Sequence, residues 1–271
     1  MGAWDLGVRE GRLARFLPDA PPFTMGAQLA GRVREVGPGV EGFAEGDRVF
    51  ANPGIAGAWA ETVRLPASAC GRAPASTDDG EAATLPVRAL TAWQALELLD
   101  LPRGATLLVR GAGGAVGRAA IQLATGRGLR VLAIAGEDEL ATLRRLGADA
   151  AADHRGDWRG RLRAVAPEGV DAVLDLVGGD SLPQALDLIL AGGRAVTTIS
   201  DAAGTRSPRG VAVEFLGMRS STEDLEAIAG LVDRGGLTAR IAARYPFDQA
   251  ARALDAAVSR NPADGDIVLE V

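Results

Sequence analysis

Lysine is missing from this 271-residue chain: all 29 basic side chains are Arg. That excludes a lysine Schiff base, a lysine general base and the lysine of a phosphate-binding P-loop. Histidine, cysteine and tyrosine occur once each, as His154, Cys70 and Tyr245. One histidine leaves almost no room for a catalytic triad or a multi-histidine metal site. One cysteine forms no internal disulfide and no cysteine-rich zinc site, and points to the cytoplasm. No run of 18 apolar residues is present to span a membrane. Residues 1–11 carry Asp5, Arg9 and Glu10 and lack the apolar core of a signal peptide. A net charge of −6 without a basic cluster argues against a nucleic-acid partner, because phosphate binding needs gathered positive charge. The expected partner is a small-molecule substrate. The surviving chemistry belongs to a cofactor, to carboxylates or to backbone amides.

What is present suits a globular chain. Apolar residues make up 47% and charged residues 24%, enough for one large domain or two modest ones. The first 85 residues are rich in turns: Pro18, Pro21 and Pro22, then Gly37-Pro38-Gly39 and Glu45-Gly46-Asp47. Between the turns lie short strand-like pieces, Gly31–Val36, Arg48–Ala51 and Trp59–Leu65, as in a small bent sheet or barrel. Asp78-Asp79-Gly80-Glu81 reads as a helix start, with carboxylates near the first-turn amides.

After residue 86 strands and helices alternate. Strands are expected at Ala105–Val109, Arg130–Ala135, Ala148–Ala152, Val170–Val177, Arg194–Ser200 and Val211–Gly217. Helical patterns follow the first two, and others cover Leu182–Leu190, Thr222–Asp233 and Phe247–Val258. A last strand is expected at Ile267–Val271. This alternation implies an α/β fold with a doubly wound parallel sheet.

The turn after the first of these strands carries Gly111, Gly113, Gly114 and Gly117. Glycines between a strand and a helix let the backbone approach a diphosphate and aim helix amides at it. The spacing departs from the strict dinucleotide fingerprint, and 36 glycines in the chain make chance clusters common. Its place between strand and helix is what carries the nucleotide reading. The second strand ends at Ala135-Gly136, followed by Glu137, Asp138 and Glu139. A carboxylate about 4 Å from a phosphate costs roughly 1 kcal/mol in water and about 4 at an effective dielectric of 20. These three therefore disfavour a 2′-phosphate unless they point away; as an alternative they form a charged first helical turn.

Several stretches together resemble one family. Gly31-x-Val33-x-x-Val36-Gly37-x-x-Val40-x-x-Phe43-x-x-Gly46-Asp47-Arg48-Val49 is similar to the medium-chain dehydrogenase/reductase superfamily. Ala58-Trp59-Ala60-Glu61, Leu85-Pro86 with Leu90-Thr91-Ala92-Trp93, Gly111–Gly117, Leu146-Gly147-Ala148-Asp149, Asp175–Gly179, Gly192-Gly193-Arg194 and Ile267–Leu269 resemble its zinc-independent quinone oxidoreductase branch. The resemblance implies a Rossmann domain over 86–221 and a GroES-like β-rich domain over 1–85 and 222–271. Met1–Asp5 matches a segment that normally reads Asn-Pro-x-Asp, so the GroES-like domain is expected to be incomplete at its N-terminal end.

The resemblance further implies NADP(H)-linked reduction of a quinone or an α,β-unsaturated carbonyl, with NAD(H) as the other cofactor. The nucleotide would be lined by Thr91, by Gly111, Gly113, Gly114, Ala115, Val116 and Gly117, by Val177 and Gly178, and by Ile199 and Ser200. Gly136 and Leu140 replace the usual NADPH-gripping Ser and Lys, and His154 stands where a Tyr often flanks the adenosine. Gly26-Ala27-Gln28 replaces the Gly-His-Glu of zinc-dependent members, so no zinc is expected. A homodimer through the strand at 211–217 is also implied. Arg88 would lie near the nicotinamide, gripping a substrate carboxylate or the diphosphate, or else form an outward salt bridge. Two other readings stay open: a non-redox cyclase or isomerase on the same scaffold, and a catalytically silent binding protein.

Overall fold

Buried aliphatic strands bounded by glycine turns build most of one half of the molecule, and short strands between loops build the other. The computed structural model describes residues 1–17, 22–259 and 265–271. In chain order the elements are α1 (Ala3–Arg9), β1 (Leu29–Arg32), β2 (Arg48–Ala51), β3 (Cys70–Arg72), α2 (Asp79–Ala83) and α3 (Pro86–Leu99). Then come β4 (Thr106–Arg110), α4 (Ala115–Gly126), β5 (Arg130–Ala135), α5 (Leu140–Arg145), β6 (Ala150–Asp153), α6 (Trp158–Val165) and β7 (Val170–Asp175). The chain continues with α7 (Leu182–Leu186), β8 (Ile189–Thr197), β9 (Val213–Phe215), α8 (Thr222–Asp233), β10 (Ile241–Pro246), α9 (Ala250–Ser259) and β11 (Asp266–Glu270). They fall into two compact units, Met1–Leu90 with Arg219–Val271, and Thr91–Met218. Among the described residues, no helix is long and apolar enough to cross a membrane.

The second unit carries one six-stranded sheet in the order β6-β5-β4-β7-β8-β9, every pairing parallel. Leu107, Leu108 and Val109 of β4, Val131 and Leu132 of β5, and Val173 and Leu174 of β7 are fully buried. Strands this apolar on both sides need helices on both faces. Trp158 and Leu162 of α6 join Leu182, Ala185 and Leu186 of α7 in one buried layer against the sheet. The chain runs outward from β4 through β5 and β6, then returns to β7 on the other side of β4. Ligands of such sheets sit outside the carboxyl ends of the strands at that reversal.

The first unit contains the antiparallel sheet β1-β2-β3 and the parallel pair β10-β11. Helix α8 rides close over β3, where a Cβ on Gly71 would stand 2.6 Å from Leu225 Cβ. Asp78 caps α2: its Oδ1 accepts from the Glu81 amide at 2.7 Å, and Glu81 Oε2 accepts from the Asp78 amide at 3.1 Å. That reciprocal pair is a capping box, as the helix-start reading of Asp78–Glu81 implies.

Several expected elements differ. Trp59–Leu65 is irregular rather than a strand. The Trp59 amide donates to Met25 O at 2.8 Å, and its ring lies against Gly26, whose φ is +91°. A loop therefore holds this stretch, not a ladder. The helix expected over Leu182–Leu190 ends at Leu186, and β8 begins at Ile189, because Ile189 is already in register with Val170. The Phe247–Val258 helix opens with a 3-10 turn, Phe247–Gln249. Tyr245 lies inside β10, a strand the sequence reading did not contain. Pro18 and Pro21 lie outside the described residues.

Candidate functional site

At the carboxyl end of β4 the chain turns sharply through Gly111, which has a φ of +74°. A Cβ there would stand 2.9 Å from Val177 Cγ2. Gly114 is the N-cap of α4, and no side chain caps that helix. The first amides of an α-helix have no intrahelical acceptor, so those of Ala115, Val116 and Gly117 face the turn as donors. Gly117 is the tightest position. A Cβ on it would lie 2.6 Å from Gly111 O and from Ala112 Cα, both main chain. The cradle holds its shape only without side chains, which is what close approach to a diphosphate requires. The residues thus fit a dinucleotide.

The neighbouring strand ends complete the rim. Ala112 donates its amide to Ile134 O at 3.0 Å, joining the turn to β5. Gly136 follows β5, and a Cβ on it would meet the Asp138 carboxylate at 2.9 Å. His154 donates its amide to Ala135 O at 2.9 Å, and its ring Nδ1 lies 3.0 Å from the same oxygen. The ring is half exposed beside the end of β5. Across the reversal, Val177 is 53% exposed, and a Cβ on Gly178 would meet Ile199 Cγ2 at 2.9 Å. Ser200 opens the 3-10 turn Ser200–Ala202, its hydroxyl 3.2 Å from Asp201 Oδ1. The structure therefore gathers Gly111–Gly117, Gly136, His154, Val177, Gly178, Ile199 and Ser200 along one sheet edge. Thr91 is buried in α3 and belongs to the same unit as these residues.

Of the three carboxylates after β5, Glu137 and Asp138 are exposed. Glu139 is buried, packs under Gly113 and pairs with Arg118 of α4. This pair escaped the sequence reading, as did a second one. Arg110 ends β4 and Asp175 ends β7 in the same register, with Arg110 Nη1 donating to Asp175 Oδ1 at 2.5 Å. Asp175 also accepts from the Gly178 amide at 3.0 Å and from Thr197 Oγ1 at 2.9 Å. Burial pushes the Arg110 pKa down, and the Asp175 charge opposes that shift. The signal available was a charge ending an otherwise apolar strand, in Leu-Leu-Val-Arg and in Val-Leu-Asp.

Arg88 forms a salt bridge, though a buried one rather than the outward pair expected. It is buried in the first unit, paired with Asp266, and its Nε donates to Thr84 O at 2.6 Å. Gln28, within the Gly-His-Glu replacement, accepts from the Val87 amide at 3.0 Å at the start of α3. The same unit holds a cleft of about 1530 Å³ whose lining includes Phe43, Trp59, Arg64 and Phe247.

Among the described residues, no three His, Cys, Asp or Glu side chains converge as a metal site. Burial pushes the Cys70 thiol up, away from the thiolate a zinc ion binds. Its Sγ lies 3.8 Å from Pro66 O.

Residues 3–75 match the family model described as the alcohol dehydrogenase GroES-like domain, and residues 146–269 the one described as zinc-binding dehydrogenase. The quinone oxidoreductase of Rattus norvegicus is 29% identical over 276 residues, spanning 97% of this chain and 83% of that protein. The solved quinone oxidoreductase from Coxiella burnetii superposes with a TM-score of 0.85 at 28% identity, covering 100% of this chain and 87% of that one. A solved NAD-dependent alcohol dehydrogenase gives a TM-score of 0.83 at 31% identity, covering 100% and 89%. With its doubly wound sheet, its glycine cradle and these relatives, the chain belongs to the medium-chain dehydrogenase/reductase superfamily as a quinone oxidoreductase-like oxidoreductase.

Proposed function

We propose that the protein is a zinc-independent, NAD(P)H-dependent reductase of a quinone or an α,β-unsaturated carbonyl. The observation that carries the reading is the side-chain-free turn at Gly111–Gly117, where a Cβ at Gly117 would strike main-chain atoms at 2.6 Å. A bound nicotinamide supplies the hydride that adds to the electrophilic carbon of such a substrate. The chain's own part is to seat the diphosphate on the first-turn amides of α4 and to offer apolar surface at Val177 and Ile199. A proton must also reach the substrate oxygen. With no Lys and a single His in the chain, the proposed proton source is water or a hydroxyl of the cofactor.

NADP(H) is the first choice of cofactor and NAD(H) the second. Arg118 neutralises Glu139, so only Glu137 and Asp138 remain to repel a 2′-phosphate, by roughly 1 kcal/mol each at 4 Å in water. The proposed reaction uses no zinc, in keeping with Gly26-Ala27-Gln28 in place of the Gly-His-Glu of zinc-dependent members and with the lack, among the described residues, of three convergent His, Cys, Asp or Glu side chains. A homodimer forms through β9, the sheet's outer strand, which leaves Phe215 exposed. The compartment is the cytoplasm, in keeping with a single Cys.

The test is a titration with NADPH and with NADH, followed by quenching of the four tryptophans, then turnover of a simple quinone and of an enone. Binding of one nucleotide with turnover of either substrate is the expected result. Absence of binding by both nucleotides refutes the reading.

A further inference from the structure

We infer that Arg110 is a positioning residue of the nucleotide site: its buried fork holds the Val177–Gly179 turn against the glycine loop, and nucleotide affinity depends on that hold. The inference rests on the nucleotide-dependent reading above.

A guanidinium ending a strand of fully buried Leu107, Leu108 and Val109 is costly to desolvate and must be matched by fixed partners. Arg110 is only 4% exposed, and its three partners all lie on or beside one turn. Nη1 donates to Asp175 Oδ1 at 2.5 Å. Nη2 donates to Ser181 Oγ at 2.5 Å and to Gly178 O at 3.3 Å. Asp175 Oδ2 accepts from the Gly178 amide at 3.0 Å, and Oδ1 from the Val177 amide at 3.3 Å. The chain at Gly178 is therefore gripped twice, its N–H by the carboxylate and its C=O by the guanidinium. Gly178 and Gly179 have φ values of +68° and +70°. Glycine reaches that region freely but gains no rigidity from doing so, so the turn owes its position to those bonds.

Displacing this turn would disturb the site on two sides. Val177 Cγ2 sits 2.9 Å from where a Cβ on Gly111 would be, so Val177 forms a wall of the glycine loop. On the other side, Thr197 Oγ1 donates to Asp175 Oδ2 at 2.9 Å and accepts from the Ile199 amide at 3.1 Å. The ends of β4, β7 and β8, neighbours in the sheet, thus meet at one ion pair. A lysine keeps the charge that balances Asp175 but not the planar fork that also reaches Ser181 and Gly178. Charge balance and turn positioning can therefore be separated by substitution.

The experiment compares wild type with Arg110→Lys, Arg110→Met and Ser181→Ala. Melting temperature, Kd and KM for NADPH and NADH, kcat, and amide hydrogen exchange at Val177 and Gly178 are measured. Arg110→Lys is expected to melt close to wild type. Its nucleotide Kd and KM should still rise about tenfold, the loss of one charge-assisted bond, with kcat nearly unchanged and Gly178 exchange faster. Ser181→Ala should follow in the same direction with a smaller change. The Ser181 side chain caps no helix, so its removal leaves α7 intact. If Arg110→Met fails to fold, the other two variants decide. Folded Arg110→Lys and Ser181→Ala proteins with wild-type Kd and wild-type Gly178 exchange would overturn the inference. If wild type binds neither nucleotide, the reductase reading fails first; unchanged exchange at Gly178 would then refute the hold on the turn, and faster exchange would support it.

Discussion

Helix α4 contains two glycines for which the same substitution should act with opposite sign. Alanine is worth about 1 kcal/mol more than glycine in a helix interior. At exposed Gly126 nothing lies within 4 Å of a new Cβ, so Gly126→Ala should gain up to about 1 kcal/mol and leave nucleotide binding alone. At Gly117 the new Cβ meets Gly111 O and Ala112 Cα at 2.6 Å and Ala112 C at 2.8 Å. None of these atoms can rotate aside, because all are backbone. Over-packing of this kind costs about 1–3 kcal/mol, and rigid neighbours place it at the upper end. After subtracting the propensity gain, Gly117→Ala should lose about 2 kcal/mol, lowering the melting temperature by about 4–8 °C in a domain of this size. To relieve the contact the turn must open, which draws its amides back from any diphosphate, so nucleotide Kd should weaken by about tenfold or more. Thermal melts by circular dichroism and fluorescence titration of both variants provide the comparison. A Gly117→Ala protein as stable as wild type, with unaltered nucleotide affinity, would refute the reasoning.

Three further outcomes test other parts of the molecule. Gly71→Ala drives a methyl to within 2.6 Å of Leu225 Cβ and 3.1 Å of Phe50 Cε1; α8 must lift from β3, at a cost of about 1–3 kcal/mol in a denaturant melt. Arg118→Met strands the buried Glu139 carboxylate and should cost about 3–5 kcal/mol, whereas Arg118→Met with Glu139→Met should recover most of that loss. The Asp78 carboxyl is held below the usual carboxylate range, first by the Glu81 amide and then by Arg244. Its contribution is therefore complete above the ordinary carboxylate pKa and is lost as pH falls through the lowered native value. Asparagine still caps the helix but carries no charge, so the stability advantage of wild type over Asp78→Asn should shrink on acidification; an advantage that grows would contradict the assignment.

Elements specified by their own residues were legible in the sequence. Arg48–Ala51, Arg130–Ala135 and Thr222–Asp233 have the bounds their patterns imply. Ser221 illustrates the reason: its hydroxyl accepts from the Asp224 amide and starts α8 from within one turn of chain. The glycine turn was legible for the same reason, since the requirement for no side chain is written in the residues themselves. Trp59–Leu65 misled because alternation specifies a strand only when a partner supplies the ladder, and that partner is not encoded locally. The alternation of β10 was hidden because alanines dilute it, although Ile241, Ala243 and Tyr245 do share the more buried face. The polar support of the site lay further out of reach. Arg110 meets a partner 65 positions away, and Arg118 one 21 positions away. Charge in a core is decided by such distant matches, not by periodicity.

The absence of lysine acquires a structural meaning in this light. Arg88 with Asp266, Arg110 with Asp175 and Arg118 with Glu139 are all buried pairs. A buried lysine readily loses its proton when desolvated, whereas guanidinium stays charged and spreads its donors over several acceptors. In a chain whose cations are all Arg, such pairs act as fixed struts rather than as proton donors. Two of them stand at the glycine turn, one under Gly113 and one beside Gly111. They can set the position of the backbone around a nucleotide, but they cannot give up a proton near neutrality. On the reading proposed above, the scarcity of acid–base side chains and the buried guanidinium pairs both suit a site that holds its reactants in place and takes its proton from outside these side chains.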